Sequence, residues 1–233
     1  MVGALLAFTF LVALNGTSGL PSNSAAAQGG TGKGAACRTY STSESRVIRS
    51  SGGTASFKVK CEYNRSTDEH VCSGDYADSR TAYSSVITYK FDSVNDFIGD
   101  APRILHFGRA PTVTIRTLTP GLASMMTSTQ SFDGQGRLTR ITSRMAGKVV
   151  AVQTFTAWDQ FGRPTAATDS TQAYTYAYDD AERVVTVTNV TAGAVIKQIF
   201  DVNGIHIGQV TTGAGETQEQ TFTIHSTATM CKE

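Results

Sequence analysis

The chain has 233 residues, 40% of them hydrophobic and 17% charged, with a formal net charge of +1. That composition suits one globular domain of ordinary solubility, and the lack of a Lys/Arg cluster able to track phosphates speaks against nucleic acid as a partner. The low charge fraction and the many Ser and Thr residues favour strands over helices.

The chain opens with Met1-Val2-Gly3, an apolar run over 4–14 and a small-residue stretch ending Ser24-Ala25-Ala26-Ala27. This is the layout of a secretory signal with cleavage after Ala27, although the usual basic residues before the apolar run are missing. The run of about 11 residues is too short to span a bilayer as a helix. The reading is therefore a signal peptide over 1–27, a disordered Gly-rich lead over 28–36 and a single β domain over 37–233, exported to the periplasm or the extracellular space. After cleavage no membrane span remains.

Within the domain, residues 37–131 supply the first strands and 132–233 a hairpin-repeat region. Residues 54–63 place Ala55, Phe57, Val59 and Cys61 on one face and Ser56, Lys58 and Lys60 on the other, the period of a half-buried strand. Further strands are predicted over 69–76, 84–91, 103–107, 112–118 and 122–131, with a single helical turn over 94–99. Cys61 and Cys72 flank a turn centred on Asn64-Arg65-Ser66-Thr67-Asp68 and so face each other across a hairpin. In an exported chain the even set of four cysteines reads as two disulfides, which leaves Cys37 for Cys231.

One phrase recurs from residue 132 onward: Phe132-Asp133-Gly134-Gln135-Gly136-Arg137, Trp158-Asp159-Gln160-Phe161-Gly162-Arg163, Tyr178-Asp179-Asp180-Ala181-Glu182-Arg183 and Phe200-Asp201-Val202-Asn203-Gly204-Ile205. Asp at the first turn position accepts backbone N–H groups, and Gly at the last supplies the positive φ of a type I turn closed by a bulge. Asp133, Gly136, Asp159, Gly162, Asp179, Asp201 and Gly204 are thus structural turn residues. Each Arg is expected to lie near an aromatic along one rim. A second set of turns, at Met145-Ala146-Gly147, Thr168-Asp169-Ser170, Thr191-Ala192-Gly193 and Gly213-Ala214-Gly215, alternates with the first. Strands over 149–158, 184–190, 195–200, 205–210 and 218–227 join them.

At these four phrases the chain resembles the YD-repeat, or RHS-repeat, family of secreted bacterial and envelope proteins. The resemblance covers about a third of the chain and implies a short stand-alone scaffold of β-hairpins without the enclosed cargo of larger members. Two departures stand out: Glu182 replaces the turn Gly, and the last copy ends in Ile205. On this pattern Glu182→Gly is expected to be neutral or mildly stabilising. Phe91-Asp92-Ser93-Val94-Asn95 reads as a degenerate fifth copy.

The expected fold is all-β, an antiparallel meander of repeated hairpins. With some fourteen strands the sheet must curl, close or fold onto itself. A transmembrane barrel is disfavoured by short strands and by the lack of two aromatic girdles.

Candidate chemistry is sparse. Tyr174, Tyr176 and Tyr178 alternate on one strand face with Trp158 two strands away, a set able to stack on a sugar ring or to cover the core. The four histidines, His70, His106, His206 and His225, offer no third ligand for a metal, so neither metal nor cofactor is expected. On the hairpin near Ala214, His206 faces Phe222 and His225 faces Asn203. Asp179 and Asp180 point to opposite faces, and no nucleophile elbow or phosphate loop is present. No catalytic residue is assigned. The function expected is an exported, non-enzymatic scaffold or binding module with a glycan or another envelope protein as partner. The alternative is an exported hydrolase or lyase with its site on the curved sheet.

Overall fold

The computed structural model describes residues 37–77, 82–91, 112–119 and 122–231. Its strands in chain order are β1 (Cys37–Ser50), β2 (Gly53–Asn64), β3 (Glu69–Ala77), β4 (Ala82–Lys90), β5 (Thr112–Thr119), β6 (Leu122–Phe132) and β7 (Leu138–Met145). They continue as β8 (Lys148–Trp158), β9 (Pro164–Thr168), β10 (Ala173–Asp179), β11 (Val184–Asn189), β12 (Ala194–Phe200), β13 (His206–Gly213) and β14 (Glu216–Cys231). Every strand pairs antiparallel with its neighbours in sequence, and β1 also pairs with β14, so the meander closes into a barrel. Closure removes both sheet edges. The Cys37–Cys231 disulfide lies at that closure, on directly paired residues, and Cys61–Cys72 bridges β2 and β3 at another direct pair.

Alternation sorts the side chains. On β2, Val59, Cys61 and Tyr63 are buried while Ser56, Lys58, Lys60, Glu62 and Asn64 are exposed; on β10, Tyr174 and Tyr176 are buried while Thr175 and Ala177 are exposed. The apolar face is the interior, and one cluster runs from Tyr40 of β1 through Met126, Ile141, Phe155 and Tyr176 to Phe200 of β12. Fourteen strands at normal spacing make a perimeter of about 67 Å, and a round ring of that size would enclose water. Here Val185 and Gln198 are 0% exposed and Ile196 and Phe200 2%. The inward-facing side chains of β11 and β12 are thus fully covered and belong to a packed core.

One expectation changes. β1 was not among the predicted strands, because Arg38, Glu44 and Arg46 interrupt its apolar period and register shifts near Ser43 break its alternation. All three of these charges lie in buried or half-buried positions. The strand predicted over 103–107, the helical turn over 94–99, His106 and all but Phe91 of the proposed fifth copy lie outside the described residues, as do residues 1–36.

Candidate functional site

The four phrase turns share one end of the barrel, since each closes a hairpin in the same direction. Three are built alike. In the first, the Asp133 N–H donates to the Arg137 carbonyl, the Gly136 N–H donates to the Asp133 carbonyl, and Asp133 Oδ1 accepts from the N–H groups of Gln135 and Arg137. Asp159 and Asp201 repeat this with Gly162 and Gly204. Gly136, Gly162 and Gly204 take φ of 75°, 78° and 74°, as a bulge-closed turn requires. The turn forms with Ile205 in place of Arg, so backbone and Asp are sufficient for it.

Each Arg then reaches the next copy. Arg137 Nε bonds Asp133 at 2.7 Å, and its guanidinium lies 4.7 Å from the Trp158 ring. Arg163 Nε bonds Asp159 at 2.7 Å, its terminal nitrogens grip Asp180 at 2.7 and 3.2 Å, and its guanidinium lies 4.1 Å from the Tyr178 ring. The aromatic of the next copy closes the link: Trp158 Nε1 donates to the Leu138 carbonyl and the Tyr178 hydroxyl donates to the Pro164 carbonyl. In both cases the acceptor is the residue after the Arg. The Arg137 backbone N–H, with its side chain, holds the Asp133 carboxyl below its ordinary range. At Asp159 partial burial works the other way, but the side chain and N–H of Arg163 prevail and the result is again a lowered carboxyl.

The third copy departs from this pattern, and here the expectation about Glu182 is corrected. Positive φ falls on Arg183, at 55°, and not on Glu182, whose N–H donates to Asp179 Oδ1. The loop between the last paired residues is one residue shorter than in the other three, because Asp179 itself pairs with Val184 and there is no bulge. Arg183 makes no ring stack or ion pair among the described residues, so the ladder of Arg and aromatic ends at Tyr178.

The predicted sugar platform is not an open face. Tyr174 and Tyr176 are 6% and 5% exposed, and Trp158 and Tyr178 pack against the same core. All three tyrosine hydroxyls are engaged internally: Tyr174 donates to Asp169, Tyr176 accepts from Gln153, and Tyr178 serves the turn. Burial raises the pKa of each. Alternation put the rings on one face correctly, but closure made that face the inside.

The remaining polar groups lie around β1. Arg46 bonds buried Glu44 at 2.5 Å and lies over the Phe222 ring at 4.3 Å, while His206 meets Phe222 edge-on at 4.7 Å, although the β13–β14 register, with Gly208 opposite Thr221, is one residue off the expected one. His70 is buried between Tyr40 and Tyr89, and its Nε2 lies 3.8 Å from Cys72 Sγ. Burial first, then the charge of Arg38 or Arg46, lowers the pKa of His70 and of His206 to about 3. Cys61, His70 and Cys72 have their ligand atoms within 4.8 Å of one another, with the two sulfurs joined in the disulfide. The signal was present in His70-x-Cys72, two residues on one strand face directly opposite the Cys61 strand. On the outer face, Ser45 Oγ lies 2.6 Å from His225 Nε2, with both residues accessible.

No family model matches the chain, and no curated protein is similar to it. Among solved structures it is similar to a porin-like protein from Bacteroides uniformis, at 12% identity and a TM-score of 0.38, with 79% of this chain and 96% of that chain covered. At that score the likeness adds nothing to the architecture read from the strand pairing.

Proposed function

We propose that the protein is an exported, non-enzymatic β-repeat scaffold, a short relative of the YD-repeat proteins, that meets an envelope protein or a glycan on its polar outer face. The observation that carries this reading is the inward use of the repeat chemistry: Asp caps its turn, Arg stacks on the next aromatic, and the aromatics fill the interior. Those groups are not free for an acid, base or oxyanion role. Two disulfides support an oxidising compartment. A soluble barrel is supported by Lys58, Lys60, Glu62, Lys197 and Glu219 on exposed strand positions. Charges on a lipid-facing strand cost roughly 2–4 kcal/mol each at the bilayer midplane.

Fractionation of the producing cell with thiol alkylation tests the address. The chain is expected in the periplasm or medium with its cysteines blocked; recovery from the cytosol with free thiols, or from the integral membrane fraction, overturns the reading. One observation favours the hydrolase alternative, the Ser45–His225 pair. Turnover of ester, peptide or glycoside substrates that is lost in His225→Ala would establish it.

A further inference from the structure

The Cys61–Cys72 hairpin carries more than a cross-link. Cys61 and Cys72 are direct partners across β2 and β3, and His70, two residues before Cys72, lies on the same inward face. All three side chains are buried, with Phe57 and Val59 packed about the sulfurs and Tyr40 and Tyr89 holding the His70 ring at centroid distances of 5.2 and 6.0 Å. We propose that opening this disulfide converts Cys61, Cys72 and His70 into a binding site for a thiophilic divalent cation, with Zn2+ as the best fit.

The distances carry the proposal. Zinc bonded to sulfur at about 2.3 Å and to nitrogen at about 2.05 Å in a tetrahedral arrangement sets ligand separations of about 3.8 Å for S···S and about 3.6 Å for S···N. The His70 Nε2 to Cys72 Sγ distance is already 3.8 Å. The sulfurs must part from 2.09 Å, and Cys61 Sγ, already within 4.8 Å of the His70 ligand atom, must settle at a similar distance from it. Two thiolates neutralise a divalent cation, so no net charge is added to the interior when the metal enters. Three protein ligands leave a fourth position for water. The opening step balances with a phosphine reductant: the disulfide takes two electrons and, with one water, gives two thiols and the phosphine oxide. Metal binding then releases the two thiol protons.

The test uses the full chain reduced anaerobically with a phosphine and titrated with Co2+ and then Zn2+, followed by the thiolate-to-cobalt charge-transfer band and by circular dichroism. One Co2+ per chain is expected, displaced by Zn2+. Loss of about 100-fold in affinity is expected for Cys61→Ser/Cys72→Ser and about 10-fold for His70→Ala. Cys37 and Cys231 remain in every variant as an internal control. A reduced chain that shows no thiolate band overturns the proposal. So does a band that persists in the double serine variant, or an affinity indifferent to His70. If reduction unfolds the barrel, Zn2+ must restore its dichroism, and failure to do so overturns the proposal as well.

Discussion

The hairpin-repeat region and the first three strands solve the same problem by opposite means. From β6 to β13 the chain closes its hairpins locally, alternate ones on a capped Asp turn whose partners lie within four residues, and adds short-range links from one Arg to the next aromatic. β1 to β3 are held by partners distant in sequence. A disulfide spans 194 residues, Arg46, paired with buried Glu44, lies against the Phe222 ring, and His70 is set between rings of β1 and β4. Local turn chemistry is enough to make hairpins, whereas bringing the last strand back to the first is a long-range loop closure that the chain must offset separately.

The largest test of that difference is to remove each bridge. In the chain-entropy picture Cys37→Ser/Cys231→Ser loses up to about 5 kcal/mol and Cys61→Ser/Cys72→Ser up to about 3 kcal/mol. Denaturant melts in which the hairpin bridge mattered more than the closing one would contradict the account of the seam.

Acid tests the buried histidines next, His70 of β3 and His206 of β13. Unfolded His70 and His206 take up a proton near pH 6.5, while the folded groups hold out to about 3. Their contribution is full above pH 6.5 and is lost as pH falls toward 3, at up to about 1.4 kcal/mol per pH unit for each histidine. The lowered carboxyls of Asp133 and Asp159 act only below the ordinary Asp range near 3.8. Melts at pH 7 and pH 5 are expected to differ clearly in the wild type and less in His70→Leu; an equal difference would remove the histidine from the account.

Within the repeats, Arg163 and Arg137 are a matched pair. Arg163 has a side chain 4% exposed with two carboxylate partners, and Arg137 one 36% exposed with one. Arg163→Ala is expected to destabilise by about 1–2 kcal/mol, since a buried guanidinium with two carboxylate partners and a ring contact is lost while the carboxylates stay partly solvated, and Arg137→Ala by about 1 kcal/mol or less. Equal losses would show that the ladder is surface decoration.

The smallest effects concern the turns. Gly162→Val is expected to destabilise by about 1–2 kcal/mol because φ is 78° there, and Arg183→Gly to be neutral or stabilising by up to about 1 kcal/mol. Glu182→Gly gains nothing, because Glu182 does not carry the strained angle. A stabilising Glu182→Gly together with a destabilising Arg183→Gly would restore the turn first read from the sequence.

Much of this molecule is readable in one dimension. The Asp-x-x-Gly phrase contains its own hydrogen-bond partners, so Asp133, Asp159 and Asp201 announce their turns wherever the strands go. Alternation likewise put Tyr174, Tyr176 and Tyr178 on one face and Cys61 opposite Cys72. Two things needed the closed barrel. One is which face is inside: periodicity is blind to that, so the rings read as a platform became core, and Asp180, exposed on a loop, found Arg163 seventeen residues away. The other is which distant groups meet: β1 hides its charges under strands from the far end of the chain, and His70 joins two cysteines only once β2 and β3 are in register. Spacing along a strand sets direction, but proximity across a closed sheet is set by the whole ring.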